Sequence, residues 1–272
     1  MKYNWRMTRI LLTNDDGIDS AGLAALRRAL DGLGDVVTIA PARNHSAVAR
    51  GITIDRSLHV ERRPFAKEGY EGFAVDGTPV DCVRIAVVEV VADAPDIVVA
   101  GVNLGANMGA DVTYSGTVGA ALEGALRGLP GVAVSIDSRD PGHLDEMTPV
   151  LATVLGEVIG RGLPEQTVLN INLPDVPAAQ LQGVRVTDLG GASCSDRFFI
   201  DGRDGHDGEY HVVCERLDNV AWPHNDFAAV SQGFVSLTPL RPRYVDEAAL
   251  DELSRWTFGR LGSASRSSGA DR

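Results

Sequence analysis

Cysteine is scarce in this chain: Cys82, Cys194 and Cys214 are the only three in 272 residues, odd in number and widely spaced. That pattern excludes a disulfide framework and a CxxC zinc site, and it reads as a protein of a reducing compartment, the cytoplasm. Long hydrophobic runs are missing as well. No stretch approaches the roughly 20 apolar residues needed to cross a bilayer, and the opening MKYNWRMTRILLTNDDG lacks the apolar core of about 7–15 residues that a signal peptide carries. Positive charge is in deficit, with 25 Lys and Arg against 37 Asp and Glu and a formal net charge of -12. Nucleic-acid polymers bind mainly through Lys and Arg that neutralise phosphates, so general affinity for them is not expected. A small anionic substrate stays possible, because a cation inside a site reverses the local field whatever the global charge. No internal repeat is visible.

What is present is an alternation of short apolar runs with helical periodicity. RILLT (9–13) is followed by Asn14-Asp15-Asp16-Gly17 and by AGLAALRRALDGL, whose apolar positions recur at helical spacing. VVTIAP (36–41), DIVVAG (96–101), GVAVSI (131–136) and VLNINLP (168–174) read as strands. DCVRIAVVEVVA (81–92), GTVGAALEGALRG (116–128) and residues 147–161 read as helices. Strands alternating with helices imply an α/β fold, a mostly parallel sheet with helices on both faces, whose ligands bind beyond the strand C-termini. Composition changes after this core, about residues 8–182. Residues 183–245 are expected to form a β-rich extension of the same domain, 246–259 a terminal helix, and 262–272 a disordered tail.

Three of the strand ends carry chemistry. Asp15 and Asp16 follow the first strand, where adjacent, partly buried carboxylates repel each other and lose hydration; a shared cation is the natural compensation. One of the pair could instead cap the following helix near Asp19 or Ser20. The second strand ends at Ala42-Arg43-Asn44-His45-Ser46, bringing a hydroxyl and an imidazole to the same rim; either could equally be an ordinary loop residue. The third ends at Asn103 and runs through Gly105, Asn107 and Gly109 into Ser115-Gly116-Thr117 at a helix start, a place where close backbone approach and unpaired N–H groups suit a phosphate. It is not a Walker loop, since no Lys follows the glycines, nor a GxGxxG dinucleotide turn. Two carboxylates, a hydroxyl and an amide oxygen form a hard oxygen set, suited to Mg²⁺ or Mn²⁺ rather than zinc.

The motifs ILLTNDDGIDSAG (10–22), APARNHSAVARGIT (40–53), VDGTPVDCV (75–83), AGVNLGANMGADVTYSGTVGAALEG (100–124), NINLP (170–174) and GFVSLTPL (233–240), taken in this order, resemble the stationary-phase survival protein SurE family of metal-dependent nucleotidases. The resemblance implies a Rossmann-like core, a β-rich extension used to form a homodimer or homotetramer, and hydrolysis of nucleoside 5'- and 3'-monophosphates. It also implies one divalent metal per subunit on Asp15, Asp16, Ser46 and Asn103, with Asn107, Ser115, Gly116 and Thr117 around the phosphate. One departure matters. The family usually has Ser-Gly where this chain has Ser46-Ala47, and a positive φ there would strain Ala47 by roughly 1 kcal/mol. On this reading Asp16 both ligates the metal and orients an attacking water, Asp15 completes the pair, and an aspartyl-phosphate on either is the rival route. Two other functions fit the same motifs: a phosphatase for a specialised metabolite, and a non-catalytic binding protein. The 187–232 segment, including Arg197, Phe198, Phe199, Tyr210 and Trp222, would distinguish substrates, its aromatics stacking on a base unless they are core or interface residues.

Overall fold

A computed structural model describes residues 7–90, 94–191, 194–201, 209–216 and 224–256. The first strand, β1 (Arg9–Thr13), leads into α1 (Ala21–Ala29) and β2 (Asp35–Pro41). A hairpin, β3 (Val60–Phe65) and β4 (Tyr70–Val75), precedes α2 (Pro79–Ile85). Then come β5 (Ile97–Leu104), α3 (Gly116–Leu126), β6 (Gly131–Ile136), α4 (Leu144–Arg161) and β7 (Val168–Leu173). The later elements are β8 (Gly183–Val186), the paired strands β9 (Cys194–Asp201) and β10 (Glu209–Arg216), α5 (Asp226–Ser231) and β11 (Phe234–Leu240).

Nine strands form one sheet in the order β3-β4-β2-β1-β5-β6-β7-β11-β8. From β4 to β7 all pairings are parallel, β3 pairs antiparallel with β4, and β11 runs antiparallel to β7 and parallel to β8. The parallel centre has a physical cause in the sequence. Every residue of β6 and β7 is buried, as expected of strands covered on both faces. In β1 successive side chains alternate between those faces: Ile10 and Leu12 belong to the cluster with Leu23 and Leu26 of α1 and Met147, Leu151 and Leu155 of α4, whereas Leu11 packs with Cys82 and Val83 of α2 and Ala120 of α3. The chain moves from β1 to β2 on one side and returns to β5 on the other. The switch point of the sheet therefore falls between β1 and β5, and the crevice opens at their C-terminal ends.

The α/β fold class is as expected from the sequence, with differences at the edges. The β3–β4 hairpin was not legible, because VERRPF is charged and carries Pro64; as the edge strand of the sheet, β3 tolerates both. The expected helix 81–92 begins earlier, at Pro79. Thr78 and Asp81 form a reciprocal capping box there, and Pro79 occupies the first turn, where its missing N–H costs nothing. A π turn, Ala86–Val90, follows it. In the 183–245 stretch, β8 and β11 join the edge of the main sheet, β9 and β10 form a separate two-stranded sheet, and α5 is an addition. From Arg243 the chain forms a unit of its own, carrying α6 (Glu247–Leu253) with Asp246 as its N-cap. The expected tail 262–272 lies outside the described residues, as do the side chains of Arg197, Phe198, Phe199, Tyr210 and Trp222. No helix among the described residues is long and apolar enough to cross a membrane.

Candidate metal and phosphate site

The loop after β1 is closed by its own side chains. Asn14, fully buried, donates through Nδ2 to the Gly17 carbonyl (3.0 Å) and to Ser20 Oγ (2.7 Å), and Ser20 caps α1 by accepting from Leu23 N (3.1 Å). The capping task thus belongs to Ser20, and neither aspartate is needed for it. Asp15 is 3% exposed and meets a different helix. Its Oδ2 accepts from the backbone N–H of Thr117 (3.1 Å) and its Oδ1 from the Thr117 hydroxyl (2.5 Å), both at the start of α3. Gly116 makes this approach possible: a Cβ there would lie 2.9 Å from Asp15 Cβ and Oδ2. Burial pushes the Asp15 carboxyl up to about 6; the Thr117 hydroxyl opposes that rise, and the negative charge of Asp16 adds to it.

Asp16 is half-buried. Its Oδ2 accepts from Leu104 N at the end of β5 (3.2 Å) and its Oδ1 from Asn44 Nδ2 (3.3 Å). Burial raises its pKa as well, against the Leu104 bond. Asn44 in turn accepts on Oδ1 from both the N–H and the hydroxyl of Ser46 (2.7 Å each). Ser46 is thereby tied to Asp16 through one amide side chain, a link that no spacing rule announced, although Asn-x-Ser after a strand is a composition that forms such side-chain turns. Ala47 does adopt a positive φ, 59°. His45 donates its backbone N–H to the Asp15 carbonyl (2.7 Å); its ring is influenced by Arg43, Asp81, Asp76 and Arg56, with burial lowering its pKa most. Asn103 donates through Nδ2 to the Gly105 carbonyl (2.7 Å), beyond a cis peptide between Gly101 and Val102.

Asp15, Asp16, Ser46, Asn103, Asn107 and Ser115 share the lining of one cleft of about 760 Å³, which His45 does not join. Gly116 and Thr117 are not in the lining; they stand behind Asp15, with both polar groups of Thr117 bonded to it. Ser115 caps α3 through Val118 N (3.1 Å). Among the described residues no group of three or more His, Cys, Asp and Glu side chains is placed to hold a metal. The candidate set is therefore the carboxylate pair with a hydroxyl and an amide, all oxygen donors.

Two buried networks hold the loop that follows β5. On β7, Asn170 and Asn172 fall on one face of the strand, and their side-chain amides both donate to the Asn107 carbonyl (2.8 and 3.0 Å). Asn172 Oδ1 accepts from Asn107 N (2.9 Å), and Asn107 Nδ2 donates to Ser135 Oγ of β6 (2.8 Å). Further along, the fully buried Asp226 accepts from Gly109 N and Gly190 N (2.8 Å each) and from Phe227 N (3.0 Å). Its burial raises its pKa, and these three N–H groups oppose the rise. Asp226 could not be found by reading along the chain, because Gly109 is 117 positions away. Away from the cleft lining, Asp81 fixes the loop after Ser46 by accepting from the N–H and hydroxyl of Thr53 (3.0 and 2.7 Å).

A carboxylate-bearing cleft at the switch point of an open parallel sheet defines a class of small-ligand proteins built on the doubly wound plan. The comparisons narrow the class. The family model described as "Survival protein SurE" matches residues 10–196. A protein of Rubrobacter xylanophilus named 5'-nucleotidase SurE is 42% identical over 264 residues, covering 93% of this chain and 98% of its own length. A namesake from Methylococcus capsulatus is 40% identical, covering 93% and 98%. The crystal structure of the SurE protein from Aquifex aeolicus superposes with a TM-score of 0.78 at 35% identity, covering 90% of this chain and 98% of that one. The chain belongs to the SurE family.

Proposed function

We propose that this protein is a divalent-metal-dependent phosphomonoesterase that hydrolyses nucleoside 5'-monophosphates, and 3'-monophosphates as a secondary activity, to nucleoside and phosphate. The observation that carries the reading is the Asp15–Asp16 pair at the switch point. Asp15 is raised to about 6 by burial, with the Asp16 charge adding to that rise, an unfavourable arrangement that a bound cation relieves. The names of the relatives from Rubrobacter xylanophilus and Methylococcus capsulatus support the nucleotide as substrate.

Asp15, Asp16, Ser46 and Asn103 would hold the cation, Mg²⁺ or Mn²⁺ given an all-oxygen donor set. The chemistry supplied there when the ion is bound is Lewis-acid polarisation of a phosphoryl oxygen and activation of water near neutral pH. Asp15 is fixed on both oxygens by Thr117 and is nearly inaccessible, which suits a ligand and disfavours a nucleophile. Asp16 is half-buried, keeps further lone pairs beyond those facing Leu104 and Asn44, and would orient the attacking water. Asn107 would steady a non-bridging phosphoryl oxygen. The Ser135 hydroxyl can donate as well as accept, so turning the Asn107 amide presents its NH₂ to an anion without losing the Ser135 contact. Ser115, in the cleft lining, adds a polar group facing the same charge. Gly116 and Thr117 serve the phosphate site indirectly, by positioning Asp15.

Phosphate release from nucleoside 5'- and 3'-monophosphates, sugar phosphates and an aryl phosphate, with Mg²⁺, Mn²⁺ or a chelator, tests this. Metal-dependent turnover favouring nucleotides is the expected result. Release from a single non-nucleotide phosphate would redirect the substrate assignment, and no release with either metal would leave a binding protein.

A further inference from the structure

The cleft wall is acidic. Asp15, Asp16, Asp111 and Asp137 all line it, and among the described residues one lining side chain is cationic, Arg139. Arg139 follows β6 in an exposed position, and it forms no ion pair among the described residues, although carboxylates are plentiful around the cleft. The loop that carries it is short and braced. Asp137 N donates to the Leu173 carbonyl (2.8 Å), Asp140 N to Ser138 Oγ (3.3 Å), and Gly142 N and His143 N to the Asp175 carboxylate (3.0 Å each). The β5 and β6 ends are joined by Gly105 N donating to the Ile136 carbonyl (3.0 Å). A Cβ built on Gly105 would lie 3.8 Å from Arg139 Cγ, so the arginine stem lies beside Gly105, whose carbonyl receives the Asn103 amide. A guanidinium on a fixed loop, next to a candidate metal ligand and without a carboxylate partner among the described residues, presents a planar fork that pairs bidentately with two phosphate oxygens.

We propose that Arg139 binds the phosphoryl group of the substrate, supplying, among the described lining residues, the positive charge that a phosphate dianion meets. The assignment rests on the phosphomonoesterase reading above and extends it to a residue outside the metal set. Because the phosphoryl group is common to every substrate, the contribution is independent of the leaving group.

The test compares wild type with Arg139→Met and Arg139→Lys in the presence of Mg²⁺, for a nucleoside 5'-monophosphate, a sugar phosphate and an aryl phosphate. Inorganic phosphate binding is measured separately by titration calorimetry. Arg139→Met is expected to lower kcat/KM by about 10- to 100-fold for all three substrates alike, the size of a charge-assisted hydrogen bond, and to weaken inorganic phosphate by a similar factor. Arg139→Lys should recover part of both, because it restores the charge without the fork. The thermal midpoint should stay at the wild-type value, as no ion pair is lost. Unchanged phosphate affinity in Arg139→Met, or a loss confined to the nucleotide, would overturn the assignment. Absence of turnover in wild type with every substrate would instead refute the activity reading, while the phosphate titration still decides Arg139.

Discussion

Thr117 gives both of its donors, the backbone N–H and the hydroxyl, to the carboxylate of Asp15. The start of α3 is therefore directed at a protein carboxylate from across the sheet, and the favourable end of the helix dipole partly offsets the cost of burying that charge.

The balance has a pH signature in metal-free protein. Burial raises Asp15 from 3.8 to about 6, so the fold favours its protonated form. The stability associated with that proton is fully present below the unfolded-state value and is lost as pH rises through about 6, a change of roughly 3 kcal/mol over the window. In chelator, the unfolding free energy of wild type minus that of Asp15→Asn should fall by most of this amount, about 2.4 kcal/mol, between pH 4 and pH 7. A difference that stays flat would show that Asp15 is not buried as described.

Asp16→Asn should lower turnover by a factor of about 100 or more, since on the proposed mechanism the variant loses one ligand charge and the acceptor that orients water. Its thermal midpoint in chelator should equal or exceed that of wild type, because a repulsive neighbour of Asp15 has gone. Steady-state kinetics and a melting curve on one preparation check both halves, and near-wild-type turnover would remove Asp16 from the site.

Gly116→Ala places a methyl group 2.9 Å from Asp15, a contact the helix start can relieve only by moving away from the carboxylate. We expect a loss of about 1–3 kcal/mol in denaturant unfolding, as for other overpacked sites, together with weaker Mn²⁺ binding measured by titration. Stability and metal affinity both at wild-type values would mean that α3 tolerates the shift and that the close approach has no function.

Much of the candidate site is legible because its parts sit at the ends of strands whose apolar patterns are strong: Asp15 and Asp16 after RILLT, Asn103 within the buried run of β5. The helices flanking them are equally clear from their periodicity. The supports were not legible. Asn44, Asn172 and Asp226 act across separations of 28, 65 and 117 positions, and pairings of that kind are set by tertiary geometry rather than by local preference. Thr117 was visible as a residue at a helix start facing a ligand crevice, but the sequence could not show that Asp15 takes both of its donors. The β3–β4 hairpin is faint in the sequence for a related reason: an edge strand such as β3 has little apolar alternation to display.

Ala47 offers a smaller and independent check. With φ at 59° it occupies a region that costs a residue with a Cβ about 1 kcal/mol, partly offset by the lower entropy of alanine in the unfolded chain. Ala47→Gly is expected to raise stability by about 0.5 kcal/mol, and Ala47→Val, β-branched, to lower it by more than 1 kcal/mol. Equal stability of the two variants would indicate that the loop relaxes out of this conformation.

The loop holding Asn107 and Gly109 is built early in the chain, yet Asp226 bonds Gly109 and Phe227 helps line the cleft. A nascent chain that has reached the end of β7 already possesses both aspartates, the serine and the asparagines, but not these last contacts. During synthesis the cleft is therefore completed late, by residues beyond the 10–196 stretch matched by the family model, and chains cut short before α5 would carry the candidate ligands without the wall that confines them.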